Sequence, residues 1–411
     1  MLKRIRMDQL RLGMHVHELC GSWMDHPFWR SKFLLSDPQD LQRLKDCGIG
    51  ELWIDTGKGL DVDGGLSQEQ VASEVEEELV VAVTTPLPEQ RISAQEEFSR
   101  ASQICQQAKV KVQSLFQEAR MGQAIHTEGC AALVDDIIAS VSRNSGALAS
   151  LVRLKSQDEY TYLHSVAVCT LMVALGRTLG LPQAELQQLG LAGLLHDMGK
   201  ARVPLEVLNK PDRLTDDEFT LMKRHPEFGH EMLLTEGGSS EVALDVCLHH
   251  HERIDGTGYP HRLAGDQISL HARMGSVCDV YDAITSARPY KAAWDPGEAV
   301  RQMAQWKGHF DPIIFQAFVK TVGIYPMGSL VRLQSGRLGV VMDQNEQSLL
   351  APRVKVFFST KSMMRIPPEV IDLGPGRSPD RILSVESTEK WKFKDLDELW
   401  LEPKRVRAQP V

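Results

Sequence analysis

The chain has 411 residues, of which 42% are hydrophobic, as is typical of a folded protein with two or three domains. Its 46 Lys and Arg residues are outnumbered by 55 Asp and Glu residues, which gives a formal net charge of -9. This balance argues against a nucleic-acid polymer as the main partner, because such a partner requires a broad basic surface. A small anionic ligand needs only a local cluster of cations and is not excluded.

The cysteines and the apolar runs indicate the cellular compartment of the protein. The seven cysteines are scattered and form no CxxC motif, which is typical of reduced thiols in a cytoplasmic protein. The first residues, MLKRIRMDQLRLG, include basic side chains but no apolar run of the kind found in signal peptides. The longest apolar-rich run, residues 166–176, is too short to span a bilayer. We therefore expect a cytoplasmic protein without a membrane span.

Residues 1–65 are expected to form a small α/β or β-rich module. The Ser-Asp-Pro sequence at 36–38 predicts the start of a helix, and Leu-Trp-Ile at 52–54 predicts a buried strand. Residues 66–92 combine an acidic run with two later prolines, which indicates a linker that is helical only in part. A solvated surface explains the acidic run more simply than a binding role does.

From Ser93 onward the apolar residues recur at helical spacing, and Ser-Ala-Gln-Glu at 93–96 is a capping-box sequence. The predicted helices are 93–119, 130–142, 145–155, 162–179, 182–198, 216–234, 239–250, 269–284 and 296–322. We expect an all-helical domain over residues 93–325, with its core at 125–325.

Residues 326–411 have a different character. Residues 328–344 alternate like two strands around a Ser-Gly turn, and 354–358 predict another strand that the prolines at 367–368 should end. We expect a β-rich C-terminal extension without identifiable chemistry. The predicted fold class is therefore mainly α, with an all-helical core between two smaller regions.

The sequence LAGLLHDMGK, residues 191–200, concentrates polar groups at the end of an apolar helix. His196 and Asp197 are adjacent, and Lys200 lies on the same side as His196, four residues later. Burying an imidazole, a carboxylate and an ammonium group is costly unless a metal or an anion satisfies them. A structural role for the His-Asp pair alone is equally compatible with this stretch.

Further candidates follow along the chain. His164 begins an apolar helix and, taken alone, is most simply a packed core histidine. His225 lies at a helix start or bend beside Pro226. Residues 249–251 are three consecutive histidines, which cannot all face a core, with a surface run as the alternative. Asp279 and Asp282 lie three residues apart on an apolar helix, where unpaired carboxylates are costly.

A glycine-rich loop lies between the three consecutive histidines and the two aspartates. It reads Asp-Gly-Thr-Gly-Tyr-Pro at 255–260, and its glycines allow the backbone to approach a ligand closely. Tyr259 could stack on a base or form a hydrogen bond with a phosphate. Arg288 and Lys291 then add two cations close to the predicted site.

The candidate donors outnumber the four that one structural zinc needs. Nitrogen and oxygen donors without a thiolate favour a dinuclear site that holds iron, manganese or a similar ion. Two neighbouring ions can activate water and stabilise phosphate oxyanions, which is a common arrangement for phosphoester hydrolysis. Whether the donors converge is not decided by the sequence alone.

The ordered motifs are H…HDMGK…H…HHE…DGTGYP…DVYDA…RPYK. They resemble the HD-GYP family of the HD phosphohydrolase superfamily over about residues 125–325. The resemblance implies a metal-dependent phosphodiesterase that hydrolyses cyclic di-GMP in bacterial signalling. It implies one ion held by His164, His196, Asp197 and Asp279, with Asp197 bridging to a second ion held by His225, His250 and His251.

The same resemblance implies how the substrate is held. Lys200 would contact the scissile phosphate and share the catalytic role with Asp197. The dinucleotide would be bound by Gly258, Tyr259, Pro260, Arg288 and Lys291. Family members with three metals carry a glutamate where this chain has Tyr160, so two divalent ions are expected, most simply Fe or Mn. The product would be pGpG, and further cleavage to GMP stays open.

The N-terminal module resembles one often found ahead of HD-GYP domains, on residues 10–14, 21–23, 26–28 and 54–59, and its role stays open. Two other functions are compatible with the sequence. One is a cyclic di-GMP-responsive signalling protein that does not hydrolyse its ligand, and the other is an HD hydrolase of other nucleotides. Signalling-protein partners and a homodimer are compatible with all three.

Overall fold

The computed structural model describes residues 1–21, 32–82, 92–123, 129–154, 160–210, 214–236, 239–286, 293–345 and 348–401. Helices dominate, and the strands form two five-stranded sheets, one from each end of the chain. The expected fold class, mainly α with an all-helical core, a small mixed module and a β-rich extension, is confirmed. None of the helices in the described ranges is both long and apolar enough to cross a bilayer.

The N-terminal module is an antiparallel sheet of order β3-β2-β4-β1-β5, with one α-helix among its described residues. Its elements are β1 (Leu2–Arg6), β2 (His15–Leu19), β3 (Phe33–Leu34), α1 (Pro38–Asp46), β4 (Glu51–Asp55) and β5 (Leu66–Ser67). The helix begins as predicted, since the Asp37 side chain accepts a hydrogen bond from Gln39 N and Pro38 occupies the first helical position. Leu52 and Ile54 are buried in the module's own core.

The described part of the segment expected to be a linker is packed. Its first residues form β5, which pairs with β1, and α2 (Gln68–Ala82) follows. Val71, Val75 and Leu79 recur every four residues and are buried in the same core as the central helices. The many glutamates led to the linker prediction, because they occupy the other faces of the helix and make the apolar stripe less apparent in the sequence. The two prolines lie outside the described residues.

The central domain is built from twelve helices in the described ranges. They are α3 (Ala94–Arg120), α4 (Cys130–Arg143), α5 (Ser145–Arg153), α6 (Tyr160–Thr178), α7 (Gln183–Leu195), α8 (Leu205–Leu208), α9 (Asp216–Met222), α10 (His225–Glu236), α11 (Glu241–His249), α12 (Leu270–Thr285), α13 (Pro296–Gln305) and α14 (Pro312–Val322). The predicted capping box of α3 is present, with Ser93 Oγ accepting from Glu96 N.

Three predicted helices are interrupted. The helix expected over 216–234 is divided into α9 and α10, and Pro226 is the second residue of α10. The helix expected over 296–322 is divided into α13 and α14, and Asp311 and Pro312 begin the second. A proline lacks an amide hydrogen and is favoured in the first turn of a helix, so each marks a new start. The helix expected over 182–198 ends at Leu195, and a 3₁₀ helix, Met198–Arg202, follows.

Close packing of α6 against α7 brings two of the predicted donors together. A Cβ on Gly193 of α7 would lie 2.7 Å from Cys169 Cα and 2.8 Å from Cys169 N on α6, so only glycine permits this approach. His164 lies in the second turn of α6, and His196 caps the end of α7. The centroids of their rings are 5.2 Å apart.

The C-terminal extension forms the second sheet, of order β10-β6-β7-β8-β9. Its elements are β6 (Leu330–Leu333), β7 (Arg337–Asp343), β8 (Arg353–Ser359), β9 (Met364–Asp372), β10 (Ile382–Val385), α15 (Thr388–Trp391) and α16 (Leu396–Leu401). Pro367 and Pro368 lie within β9 instead of ending the sheet, because an edge strand tolerates missing amide donors. Asp343 Oδ2 accepts a hydrogen bond from Ala94 N at 3.0 Å, which joins the sheet to the helical domain.

Candidate metal centre

The helix ends and turns of the central domain bring all seven predicted donors together. Each of the seven side chains is buried, with at most 9% of its residue exposed. They are His164 on α6, His196 and Asp197 after α7, His225 at the start of α10, His250 and His251 after α11, and Asp279 on α12. Most of these positions terminate an element, and the centre is therefore assembled by the packing of whole helices.

Asp197 lies between two groups of donors. Its Oδ2 atom is 3.5 Å from His164 Nε2 and 3.4 Å from His196 Nε2. Its Oδ1 atom is 3.2 Å from His225 Nε2 and 3.8 Å from His250 Nε2. Each carboxylate oxygen thus faces a different set of imidazoles.

The two groups each contain enough donors to hold an ion. His164, His196 and Asp279 form one group, and His225, His250 and His251 form the other, with the ligand atoms of each group within 4.8 Å of one another. Three of the buried atoms have no hydrogen-bond partner among the described residues: His196 Nε2, Asp197 Oδ1 and His251 Nε2. Because buried polar atoms are normally paired, and because the donors are nitrogen and oxygen, the residues present fit divalent metal ions.

Hydrogen bonds on the far side of each ring orient the imidazoles. The Nδ1 atom of His196 donates to Gly193 O at 2.8 Å, and that of His225 donates to Met222 O at 2.8 Å. His250 Nδ1 lies 3.0 Å from Val246 O. Since a carbonyl oxygen only accepts, Nδ1 carries the hydrogen and Nε2 presents its lone pair to the centre.

Asp282 has the corresponding contact with His164, and the sequence analysis did not assign it a role. Its Oδ2 atom lies 2.7 Å from His164 Nδ1, and its Oδ1 atom accepts from Ser286 Oγ at 3.2 Å. Asp282 is 2% exposed. Its position on an apolar helix, one turn after Asp279, was the signal that could have identified it.

The electrostatic environment keeps the donors in the forms that bind metal. Burial lowers the pKa of His250 to about 3 and holds the pKa of His251 well below its usual range, so both rings are neutral at neutral pH. Burial alone would raise the pKa of Asp197, but Lys200 and His196 hold it well below its usual range. Burial would lower the pKa of His196, but Asp197 and Asp279 raise it overall. Protons therefore compete with a metal more strongly at His196 than at His250 or His251.

Lys200 lies at the accessible edge of the centre. Its Nζ atom donates to Asp197 Oδ2, and 21% of its side chain is exposed. It belongs to the 3₁₀ helix that follows Asp197, which can approach α10 only because Gly199 has no side chain. A Cβ on Gly199 would lie 1.9 Å from His225 O.

The 255–260 loop adjoins one of the donors. The Tyr259 ring stacks on the His251 ring, with centroids 4.7 Å apart, and Tyr259 N donates to His251 O at 3.2 Å. A Cβ on Gly258 would lie 2.4 Å from Arg253 N, so this position requires glycine. Buried Glu252 accepts from His261 N at 2.7 Å, and thereby holds the chain just beyond Pro260.

The remaining candidate residues lie outside the donor group or outside the described residues, and His249 is not among the ligands that the family resemblance implies. His249 points elsewhere, with its Nδ1 atom 2.8 Å from Asp245 Oδ1 and its Nε2 atom 3.3 Å from His261 Nδ1. Arg288 and Lys291 fall outside the described residues. Of the three consecutive histidines, the structure thus brings two to the centre and leaves one beside the partly buried carboxylate of Asp245.

The chain resembles known proteins along nearly its whole length. Residues 133–314 match the family described as HD domain, and residues 2–130 match a domain of unknown function, DUF3391. A cyclic di-GMP phosphodiesterase of Pseudomonas aeruginosa is 58% identical over 97% of this chain and 96% of that protein. The DUF3391 match extends beyond the expected module and includes α2 and α3.

Two further relatives match a smaller part of the chain. The cyclic di-GMP phosphodiesterase response regulator of Xanthomonas campestris is 44% identical over 34% of this chain and 38% of that protein. A 3'3'-cGAMP-specific phosphodiesterase of Vibrio cholerae is 34% identical over 42% of this chain and 33% of that protein.

Replacing Asp282 with alanine should weaken the retention of divalent metal by roughly 10- to 100-fold, because His164 loses the carboxylate that fixes its ring. The measurement is metal content after dialysis against increasing concentrations of a chelator. Asp245→Ala is the matched control, since Asp245 contacts His249 outside the donor group. Equal metal retention in the two variants would contradict an orienting role for Asp282.

Proposed function

This chain belongs to the HD-GYP family of HD-domain phosphodiesterases, and we propose that it hydrolyses cyclic di-GMP to pGpG. The observation that carries the proposal is the arrangement of seven buried donors around Asp197, whose two oxygens face two donor groups. The choice of substrate is supported by the Pseudomonas aeruginosa relative, which is 58% identical over nearly the full length.

We propose that the centre holds two divalent ions, iron or manganese. His164, His196, Asp197 and Asp279 would hold the first ion, and Asp197, His225, His250 and His251 would hold the second. When bound, the ions would activate a water molecule for attack and stabilise negative charge on the phosphate oxygens. The neutral rings of His250 and His251 and the ionised carboxylate of Asp197 support this assignment, since these are the protonation states that ligands need.

Asp197 and Lys200 are the proposed catalytic residues. Asp197 keeps the two donor groups in register through its two oxygens. Lys200 Nζ lies beside this carboxylate at the edge of the buried centre, where an arriving phosphate can reach it. Its ammonium group would donate a hydrogen bond to a phosphate oxygen and stabilise the charge that develops there during attack.

The 255–260 loop is the proposed contact for the dinucleotide, through Gly258, Tyr259 and Pro260. The stacking of Tyr259 on His251 supports this role, because it puts an aromatic ring next to the donor group. The absence of a side chain at Gly258 lets the loop fold tightly against the residues after His251. Arg288 and Lys291 remain proposed contacts on the basis of the family resemblance.

The wider assignments are also proposals. We assign residues 93–325 to the catalytic domain, residues 1–65 to the accessory module and residues 326–411 to the extension. We further propose a cytoplasmic location, with signalling proteins as partners and a homodimer as the assembly. A role limited to binding cyclic di-GMP is disfavoured, because none of the seven expected donors is replaced.

Replacing Asp197 with alanine should abolish both metal retention and hydrolysis of cyclic di-GMP while helical content survives. The reason is that both donor groups lose their shared carboxylate. Metal analysis, a hydrolysis assay and circular dichroism measure the three quantities. His249→Ala is the control and should keep activity within about threefold, since His249 lies outside the donor group. Full turnover by Asp197→Ala at matched metal loading would contradict the two-ion mechanism.

A substrate panel tests the proposed function directly. Purified protein loaded with Mn²⁺ or Fe²⁺ should convert cyclic di-GMP to pGpG faster than it hydrolyses 3'3'-cGAMP or a deoxynucleoside triphosphate. Product analysis by chromatography also tests whether pGpG is cleaved further to GMP. Binding of cyclic di-GMP without turnover would support the signalling alternative, and preferential hydrolysis of a nucleoside triphosphate would support the other.

A further inference from the structure

The N-terminal module reaches the proposed substrate loop at one close contact. Gly48, in the turn after α1, has a φ of +78°, and a Cβ at this position would lie 3.2 Å from Thr257 Cβ and 3.6 Å from Thr257 Oγ1. Thr257 lies in the middle of the 255–260 loop. The glycine therefore allows the module's backbone to rest directly against the loop.

Inside the loop, Thr257 is hydrogen-bonded to Asp255. Its Oγ1 and N atoms both donate to Asp255 Oδ1, at 2.6 and 3.0 Å. Two residues later, Tyr259 stacks on His251 and donates its amide hydrogen to His251 O. A displacement at Thr257 would thus be transmitted within three residues to the ring beside the donor group.

A second contact from the N-terminal region ends at the base of the same loop. Glu78 of α2 forms an ion pair with Lys307 at 2.7 Å. The next residue, Gly308, accepts a hydrogen bond from Asp255 N at 3.0 Å. A Cβ on Gly308 would lie 2.9 Å from Asp255 Oδ2, so this approach is also close. The Thr257 end of the segment therefore meets the module directly, and the Asp255 end meets Gly308, the residue after the one that pairs with α2.

The module is anchored well enough to hold the loop in place. Buried Arg4 of β1 lies 3.5 Å from Glu51 of β4 and 3.5 Å from Glu74 of α2. Trp53 of β4 is buried in the same core cluster as the central helices. The sheet, α2 and the helical domain are therefore packed together. This packing fixes the position of the turn at Gly48.

We propose that the N-terminal module positions the substrate loop, with Gly48 and Thr257 as the positioning residues. The turn after α1 bears on Thr257 and thereby keeps Tyr259 stacked beside His251. This inference rests on the proposed function for the loop's role with the dinucleotide, whereas the mechanical contact stands independently of the substrate. A change in the module would reach the active site through this contact.

The test compares Gly48→Asn with Gly64→Asn. Both glycines belong to the module and have positive φ, +78° and +87°, but a Cβ on Gly64 meets nothing within 4 Å. Asparagine tolerates this backbone region, so the two variants differ mainly in the contact with Thr257. Hydrogen exchange of the 255–260 loop and steady-state kinetics with cyclic di-GMP are measured on the full-length, metal-loaded protein.

In Gly48→Asn, loop exchange should rise roughly tenfold and KM should rise roughly tenfold, with kcat changed less than about twofold and metal content unchanged. Gly64→Asn should match the parent protein in all four quantities. In a Thr257→Gly background, which removes the opposing side-chain atoms, the effect of Gly48→Asn on KM should shrink to less than about threefold.

Equal loop exchange in Gly48→Asn and Gly64→Asn would overturn the proposal. If Gly48→Asn does not fold, Gly48→Ala and Gly64→Ala make the same comparison with a single added methyl group. If the protein does not hydrolyse cyclic di-GMP at all, the proposed function fails, but the exchange measurement still decides whether the module holds the loop. An additive effect of the 48 and 257 substitutions would show that the two residues act separately and would also overturn the proposal.

Discussion

The carboxylate of Asp197 is the group on which the rest of the site depends. It is 1% exposed and surrounded by four imidazoles, and each of its oxygens faces a different pair of rings. An ionised carboxylate at such depth is costly unless cations compensate it. Lys200 supplies one cation, and bound divalent ions would supply the rest. The burial of the Asp197 carboxylate and the large number of donors around it therefore have the same explanation, which is that the site is built to hold cations.

The helical fold meets this requirement by using the ends of its helices. His196, His225 and His250 each lie at a helix terminus and have Nδ1 close to a backbone carbonyl three or four residues earlier. A terminus leaves backbone carbonyls free for such bonds, so ring orientation follows from local chain geometry. Tight approaches at Gly193 and Gly199 then bring the termini together. The protein's own backbone in this way fixes the orientation of these rings, which favours preorganised catalysis.

Much of this arrangement could be predicted from the sequence, and the failures have identifiable causes. The helices and the capping box at Ser93 follow from local patterns, and the seven donors follow from motif order together with the family resemblance. The acidic residues of α2 obscured the apolar stripe of Val71 and Val75. The pairing of His164 with Asp282 and the contact between Gly48 and Thr257 join distant parts of the chain. Such contacts depend on tertiary packing, which neither periodicity nor charge pattern encodes. The breaks before α10 and α14 were predictable from their prolines but were outweighed by the continuing apolar pattern.

The central claim is that Asp197 joins two ions in one centre. Elemental analysis of the purified protein, combined with anomalous diffraction from its crystals, tests this most directly. We expect two ions per chain, one on each side of the Asp197 carboxylate. A single ion, a third ion, or ions bound away from Asp197 would contradict it.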